Sequence, residues 1–209
     1  MNSNASAALR PAGWSDGLAP NPLLTMREFF RRPQDVGSAF PASRRLVEAV
    51  LDAVDLSAAR LVVEYGPGSG RFTRALLDRM PDDGHLVAID TSPRFTRHLQ
   101  QTIRDRRLHA VSDSAQQAAA ILQGLRLKGV DLVVTGIPFS TIDPTVGAEI
   151  VSASAGLMNP QGQLIAYQMR DAVEPMLQQS FAQVERTRCW RNLPPCHIFR
   201  ATGPRPGAS

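Results

Sequence analysis

Between residues 42 and 202 the chain alternates short, branched apolar runs with longer stretches whose apolar residues recur three or four apart. The short runs lie at 60–65 (RLVVEY), 86–90 (LVAID), 108–111, 131–135 (DLVVT) and 163–168 (QLIAYQ). Runs of this length and branching suit strands buried on both faces, and the stretches at 71–80, 92–104, 114–126 and 144–157 suit crossover helices. That alternation predicts an α/β fold, a mostly parallel sheet with helices on both faces. A last pair of runs, near 183–190 and 195–201, brackets 192–195 (NLPP) and reads as an antiparallel hairpin with a longer turn. The last strand is therefore expected to run against the others. Ahead of the first strand, 42–54 places Leu46, Val47, Val50, Leu51 and Val54 at helical spacing.

Further upstream, the segment from Leu23 to Arg32 (LLTMREFFRR) also has a helical pattern. Leu23, Met26, Phe29 and Phe30 share one side, Arg27, Glu28, Arg31 and Arg32 take the other, and Leu24 falls off the apolar face. Such a basic amphipathic extension, spanning 22–40, fits an anionic membrane surface; the same residues also fit a cap on the domain's own core. Residues 1–21 and 203–209 are rich in small residues, Asn and Pro and read as flexible tails, which leaves 41–202 as the domain.

Composition narrows the class. A hydrophobic fraction of 43% with 20% charged residues excludes a disordered chain. Two cysteines, Cys189 and Cys196, cannot build a disulfide scaffold, and the four histidines show no metal-ligand spacing, so no metal is expected. No run approaches the roughly 18 apolar residues of a membrane span, and no apolar run near the start is long enough for a signal peptide. A reducing, cytoplasmic setting follows as the expectation. The net charge is +4, and of the 23 basic residues all but Lys128 are arginine. That bias fits a GC-rich gene as readily as it fits an anionic partner such as lipid headgroups or RNA.

The sharpest local signal is Glu64-Tyr65-Gly66-Pro67-Gly68-Ser69-Gly70, which closes one strand and opens a helix. Alternate glycines let the backbone turn tightly and approach a ligand with no Cβ in the way. Asp90 ends the next strand, where a carboxylate can take both hydroxyls of a ribose. The loop lacks the Gly-Lys-Ser/Thr ending that cradles a nucleoside triphosphate. Asp90 and Asp113, which follows the third strand, have the alternative of capping the helices after them. The fourth strand ends in Thr135-Gly136-Ile137-Pro138-Phe139-Ser140, and Tyr167 ends the fifth on the side where ligands collect, within reach of a substrate or simply packed.

The glycine loop resembles motif I of class I S-adenosylmethionine-dependent methyltransferases, and the likeness runs over about residues 40–200. It implies their Rossmann-like fold and S-adenosyl-L-methionine as cofactor, released as S-adenosyl-L-homocysteine. Carried onto this chain, Gly66, Gly68 and Gly70 would face the methionine part, Glu64 would hold the loop or the amino group, and Asp90 would bind the ribose. Asp113 would stand near the adenine amino group, and Tyr65, Thr91, Ser114 and Thr135 would complete the cofactor-binding set. The implied catalytic loop is Gly136, Ile137, Pro138 and Phe139. Amine-methylating relatives often carry Asn or Asp where this chain has Gly136, and Tyr where it has Phe139. An aromatic base nitrogen is a poor nucleophile that needs those hydrogen bonds, whereas an aliphatic amine needs mainly alignment. Phe139 can pack against a methylated ammonium, or lie in the core.

Outer features narrow the likeness further. The segments 36–43 (VGSAFPAS) and 190–199 (WRNLPPCHIF), with the Phe-Phe-Arg-Arg helix, resemble bacterial phospholipid N-methyltransferases, a group related to ribosomal RNA adenine dimethylases. The 192–195 stretch also reads as a rigid turn. The resemblance implies stepwise methylation of phosphatidylethanolamine toward phosphatidylcholine, with the enzyme peripheral on the inner membrane face and docked through Leu23 to Arg32. The alternatives are a ribosomal RNA adenine N6-methyltransferase, and a non-catalytic protein that binds the cofactor or the membrane.

Overall fold

A computed structural model of the chain describes residues 42–190, 192 and 195–205. Ser43 opens helix α1 (Arg44–Leu51), its Oγ accepting from the Leu46 amide at 3.1 Å, and α1 buries Leu46, Val47, Val50 and Leu51. The strand β1 (Leu61–Tyr65) is buried at every position, as a central parallel strand requires. Gly70 then leads into α2 (Arg71–Leu77), followed by β2 (His85–Asp90), α3 (Pro93–Thr102) and β3 (Leu108–Ser112). A single 3-10 turn, Ala115–Gln117, passes into α4 (Ala118–Gly124), and β4 (Val130–Thr135) follows. Asp143 caps α5 (Pro144–Leu157) by accepting from the Thr145 amide at 2.8 Å, and Pro144 fits the first helical turn. The chain ends in β5 (Met158–Gln168), α6 (Glu174–Ser180), β6 (Phe181–Cys189) and β7 (Cys196–Pro204).

The seven strands form one sheet in the order β3-β2-β1-β4-β5-β7-β6. All pairings among β1 to β5 are parallel, while β7 lies between β5 and β6 and is antiparallel to both. One face packs on α4, α5 and α6 and the other on α1 and α2, so the sheet has helices on both faces as the alternation predicts. No helix of the described residues is long and apolar enough to cross a membrane.

The structure differs from the sequence expectations at identifiable places. β5 begins at Met158, ahead of the expected 163, because the turn-forming 159–162 (NPQG) is accommodated as an irregularity between the Val130–Met158 and Leu132–Gln163 pairs. Asn159 secures it, its Nδ2 donating to the Gly129 carbonyl at 3.0 Å and to Asp131 Oδ1 at 2.6 Å. α6 has no counterpart among the expected elements. β7 continues through Gly203 and Pro204, which the sequence reading placed in a flexible tail, since Pro204 pairs with Phe181 and the Arg205 amide donates to the Ser180 carbonyl. The expected tail 1–21, the amphipathic extension 22–40 with Leu23 to Arg32, part of the 192–195 turn and the final four residues lie outside the described residues.

Candidate functional site

The loops that follow β1, β2, β3 and β4 gather at one edge of the sheet, the carboxyl ends of the parallel strands. The strand order reverses between β1 and β4, and a crevice opens at that point in folds of this kind. Gly66, Gly68 and Gly70 take φ of 70°, 52° and 78° there, which side chains of L-residues rarely adopt. A Cβ on Gly70 would overlap Leu99 of α3, so that helix could not pack as closely with any other residue here. The Gly66 amide donates to the Ile89 carbonyl at 2.9 Å, tying the loop to β2.

Two carboxylates stand behind this loop. Asp90 is 5% exposed, with Oδ2 accepting from the Gly68 amide at 3.3 Å and Oδ1 from the Ser92 amide at 2.8 Å. Burial raises its pKa, and the two amide bonds act against that rise. Glu64 is 2% exposed; its Oε2 accepts from Thr73 Oγ1 of α2 at 2.7 Å, and its Oε1 is buried with no hydrogen-bond partner. Burial, opposed by the Thr73 bond and assisted by the charge of Asp90, pushes Glu64 up to about 8. An unpartnered carboxylate oxygen beside a loop of glycines is fitted to a cationic amine with a compact chain, which the methionine part of S-adenosylmethionine provides.

The remaining expected cofactor residues divide. Asp113 sits at the end of β3, its amide donating to the Asp90 carbonyl at 3.1 Å, and is exposed; its Oδ1 accepts from the Ser114 amide at 2.7 Å. Ser114 caps the 3-10 turn, and Thr91 is exposed beside Asp90. Tyr65 departs from the expectation. Adjacent strand residues point to opposite faces, so with Glu64 turned toward α2 the Tyr65 ring lies across the sheet, its hydroxyl 3.0 Å from Ser154 Oγ of α5. Only its backbone serves the site, the carbonyl accepting from the Gly136 amide at 3.0 Å. Thr135 is fully buried and its Oγ1 accepts from the Ile137 amide at 3.2 Å, which shapes the loop after β4.

That loop is held from outside itself. Gln168, at the end of β5, donates from Nε2 to the Ile137 carbonyl at 2.7 Å and accepts the Phe139 amide on Oε1 at 3.3 Å. The Pro138 carbonyl is taken by Thr141, by its amide at 2.8 Å and its Oγ1 at 2.9 Å. The Phe139 ring is 2% exposed in the core on the α5 and α6 face, beside Gly147. Of the two placements left open by the sequence, the structure shows the core one and not a ring facing an ammonium. Gln168 was absent from the sequence reading, since its partners lie about thirty residues upstream and its only signal was a position at a strand end. Away from the site, His85 Nδ1 and His109 Nε2 approach to 3.1 Å, and among the described residues no third His, Cys, Asp or Glu joins them to hold an ion.

Comparison with known proteins relates the chain and its fold to methyltransferases. A family model described as a methyltransferase domain matches residues 62–162. The ornithine lipid N-methyltransferase of Singulisphaera acidiphila is 24% identical over 183 residues, 87% of this chain and 95% of that protein. The ribosomal RNA small subunit methyltransferase A of Nocardia farcinica is 29% identical over 143 residues, 62% of this chain but 45% of that protein. Among solved structures, the N-methyltransferase NodS of Bradyrhizobium japonicum WM9 in complex with S-adenosyl-l-homocysteine superposes with a TM-score of 0.63 at 20% identity, covering 87% of this chain and 99% of NodS.

Proposed function

Given the match of residues 62–162 to a methyltransferase-domain family model, we propose that the chain is a class I S-adenosylmethionine-dependent methyltransferase whose acceptor is the amine of a membrane-lipid headgroup, with phosphatidylethanolamine methylated toward phosphatidylcholine. The carrying observation is extent: the lipid N-methyltransferase relative is matched along 95% of its length, the ribosomal RNA relative along 45%. The name of that first relative favours a second lipid, an ornithine lipid, whose free amine presents the same chemistry.

The bound cofactor supplies a methyl group on a positively charged sulfur. Glu64 Oε1 is placed to take the cationic amine of its methionine part, Asp90 to take the ribose hydroxyls, and the glycine loop to let the cofactor lie against the backbone. The loop after β4 contributes shape rather than activation, for residues 136–139 carry no ionisable group. An aliphatic amine needs no more than this once it has lost its proton to water, because a free lone pair aligned with the methyl is a good nucleophile. Exposing acyl chains to water costs about 0.8 kcal/mol per CH₂, so the reading places the enzyme at the inner membrane face, docked through Leu23 to Arg32.

The test offers labelled S-adenosylmethionine with vesicles of phosphatidylethanolamine, vesicles containing ornithine lipid, or small-subunit ribosomal RNA. Label should enter lipid; label in RNA alone would overturn the proposal.

A further inference from the structure

The loop after β4 has no polar side chain between Gly136 and Phe139, yet a polar atom of the chain reaches it from another strand. A Cβ built on Gly136 would overlap the Tyr167 hydroxyl and stand 2.6 Å from its Cζ. The hydroxyl therefore fills the space that any side chain at 136 would claim. Its ring is stacked on Phe72 of α2 with centroids 4.6 Å apart and planes 19° apart, which fixes where the oxygen points. Tyr167 also packs on the α1 and α2 face of the sheet, the face toward which Glu64 is turned, and the Glu64 charge is felt at the phenol. The hydroxyl thus lies between the cofactor carboxylate and the loop after β4. Among the described residues it makes no hydrogen bond, and the residue is half-buried rather than sealed. A rigidly aimed hydroxyl with no partner among the described residues and an open approach is free to meet a ligand group.

We propose that Tyr167 is the residue that holds the acceptor amine, its hydroxyl oxygen accepting an N–H of the nucleophilic nitrogen, and that residue 136 is glycine so that this hydroxyl can enter. The assignment rests on the amine-lipid reading above and adds to it the group that aligns the nitrogen. Accepting an N–H leaves the nitrogen lone pair free to face the methyl, whereas donating to that lone pair would block the reaction. Burial and the nearby Glu64 raise the phenol far above its ordinary range, so it remains a neutral hydroxyl and is not the base. The chemistry carries a further consequence. A neutral primary amine has two N–H groups, a monomethylated one has a single N–H, and a dimethylated one has none, so the hydroxyl serves the early transfers and is idle in the last.

Tyr167→Phe removes the hydroxyl and keeps the ring stacked on Phe72. With phosphatidylethanolamine vesicles, kcat/KM should fall by about 10- to 100-fold, as expected for one lost hydrogen bond to the reacting group. Cofactor affinity by calorimetry and the thermal midpoint should match wild type. The N,N-dimethylated lipid, which offers no N–H, serves as the internal control and should be handled by variant and wild type alike. Equal turnover of the primary amine by variant and wild type would overturn the assignment, as would a loss accompanied by weaker cofactor binding or a lower midpoint, since either marks the tyrosine as structural. If wild-type protein methylates none of these lipids, the parent reading fails and the assignment falls with it, a result distinct from failure of the tyrosine alone.

Discussion

The loops after β1 and β4 leave neighbouring strands at the same edge of the sheet, and they are built in opposite ways. Behind the first stand two buried carboxylates, one of them with an oxygen that has no partner, and its three glycines hold backbone angles few other residues tolerate. The second has no ionisable group, and its form is imposed by Thr135, Thr141 and Gln168. One loop presents charge and the other presents shape. On the proposed reading the difference follows from the two reactants: a cationic cofactor is met by carboxylates, Glu64 giving up its proton as the cation arrives, while a competent amine needs chiefly to be aimed.

The largest effect expected from breaking this contrast lies in the shaped loop. Phe139→Ala empties a core site and should lower stability to denaturant by about 3–5 kcal/mol, with cofactor affinity of the folded protein little changed. A stable variant that had lost only turnover would put the ring in the acceptor site after all. On the charged side, Asp90→Ala removes the proposed ribose acceptor together with the Gly68 and Ser92 amide bonds, and should weaken S-adenosylmethionine binding by about 1–3 kcal/mol. Titration calorimetry measures this directly, and affinity equal to wild type would displace Asp90 from the site.

The smallest and most specific effect concerns Glu64 and pH. Its pKa in the folded protein, about 8, lies above the ordinary carboxylate value, so the folded state holds the proton more tightly than the unfolded chain. Stability of the cofactor-free protein should therefore fall as pH rises from the ordinary value through about 8. Glu64→Gln should flatten that part of the profile of thermal midpoint against pH. Bound cofactor, by placing a cation at Oε1, should lower the pKa and release a proton, read as a dependence of binding heat on the buffer used. A variant with the wild-type slope would show that the carboxyl is not buried in solution.

The same contrast governs what was legible in the sequence. The charged loop is local: an acid, three alternate glycines and a second acid at the end of the next strand are all nearby signals. β1, β2 and β4 announce their burial through branched apolar runs, whereas β3, expected to be buried on both faces, is the sheet edge and only half-buried to exposed. The shaped loop is assembled from afar. Neither the Gln168 clamp nor the Tyr167 hydroxyl over Gly136 has any signature in residues 136–139, because both depend on the register of β5 beside β4. Which way the Phe139 ring turns is a matter of packing against Gly147, which periodicity does not encode. The start of β5 was hidden by turn-forming residues, and α6 by its seven-residue length. The two cysteines look unremarkable in sequence, yet the β6–β7 register sets Cys189 directly opposite Cys196, both buried and both free.

The place of β7 has a consequence for how the protein is made. It is the last of the described strands to leave a ribosome, and it is also the partner of β5, pairing Ile198 with Tyr167 and His197 with Gln168. Every residue assigned to the cofactor precedes it in the chain, so the cofactor half of the crevice can be completed during synthesis while β5 still shows an open edge. An open edge invites pairing with another chain. The wall carrying Tyr167 and Gln168 is thus secured only once β7 has been made, and until then its edge is the one to be protected.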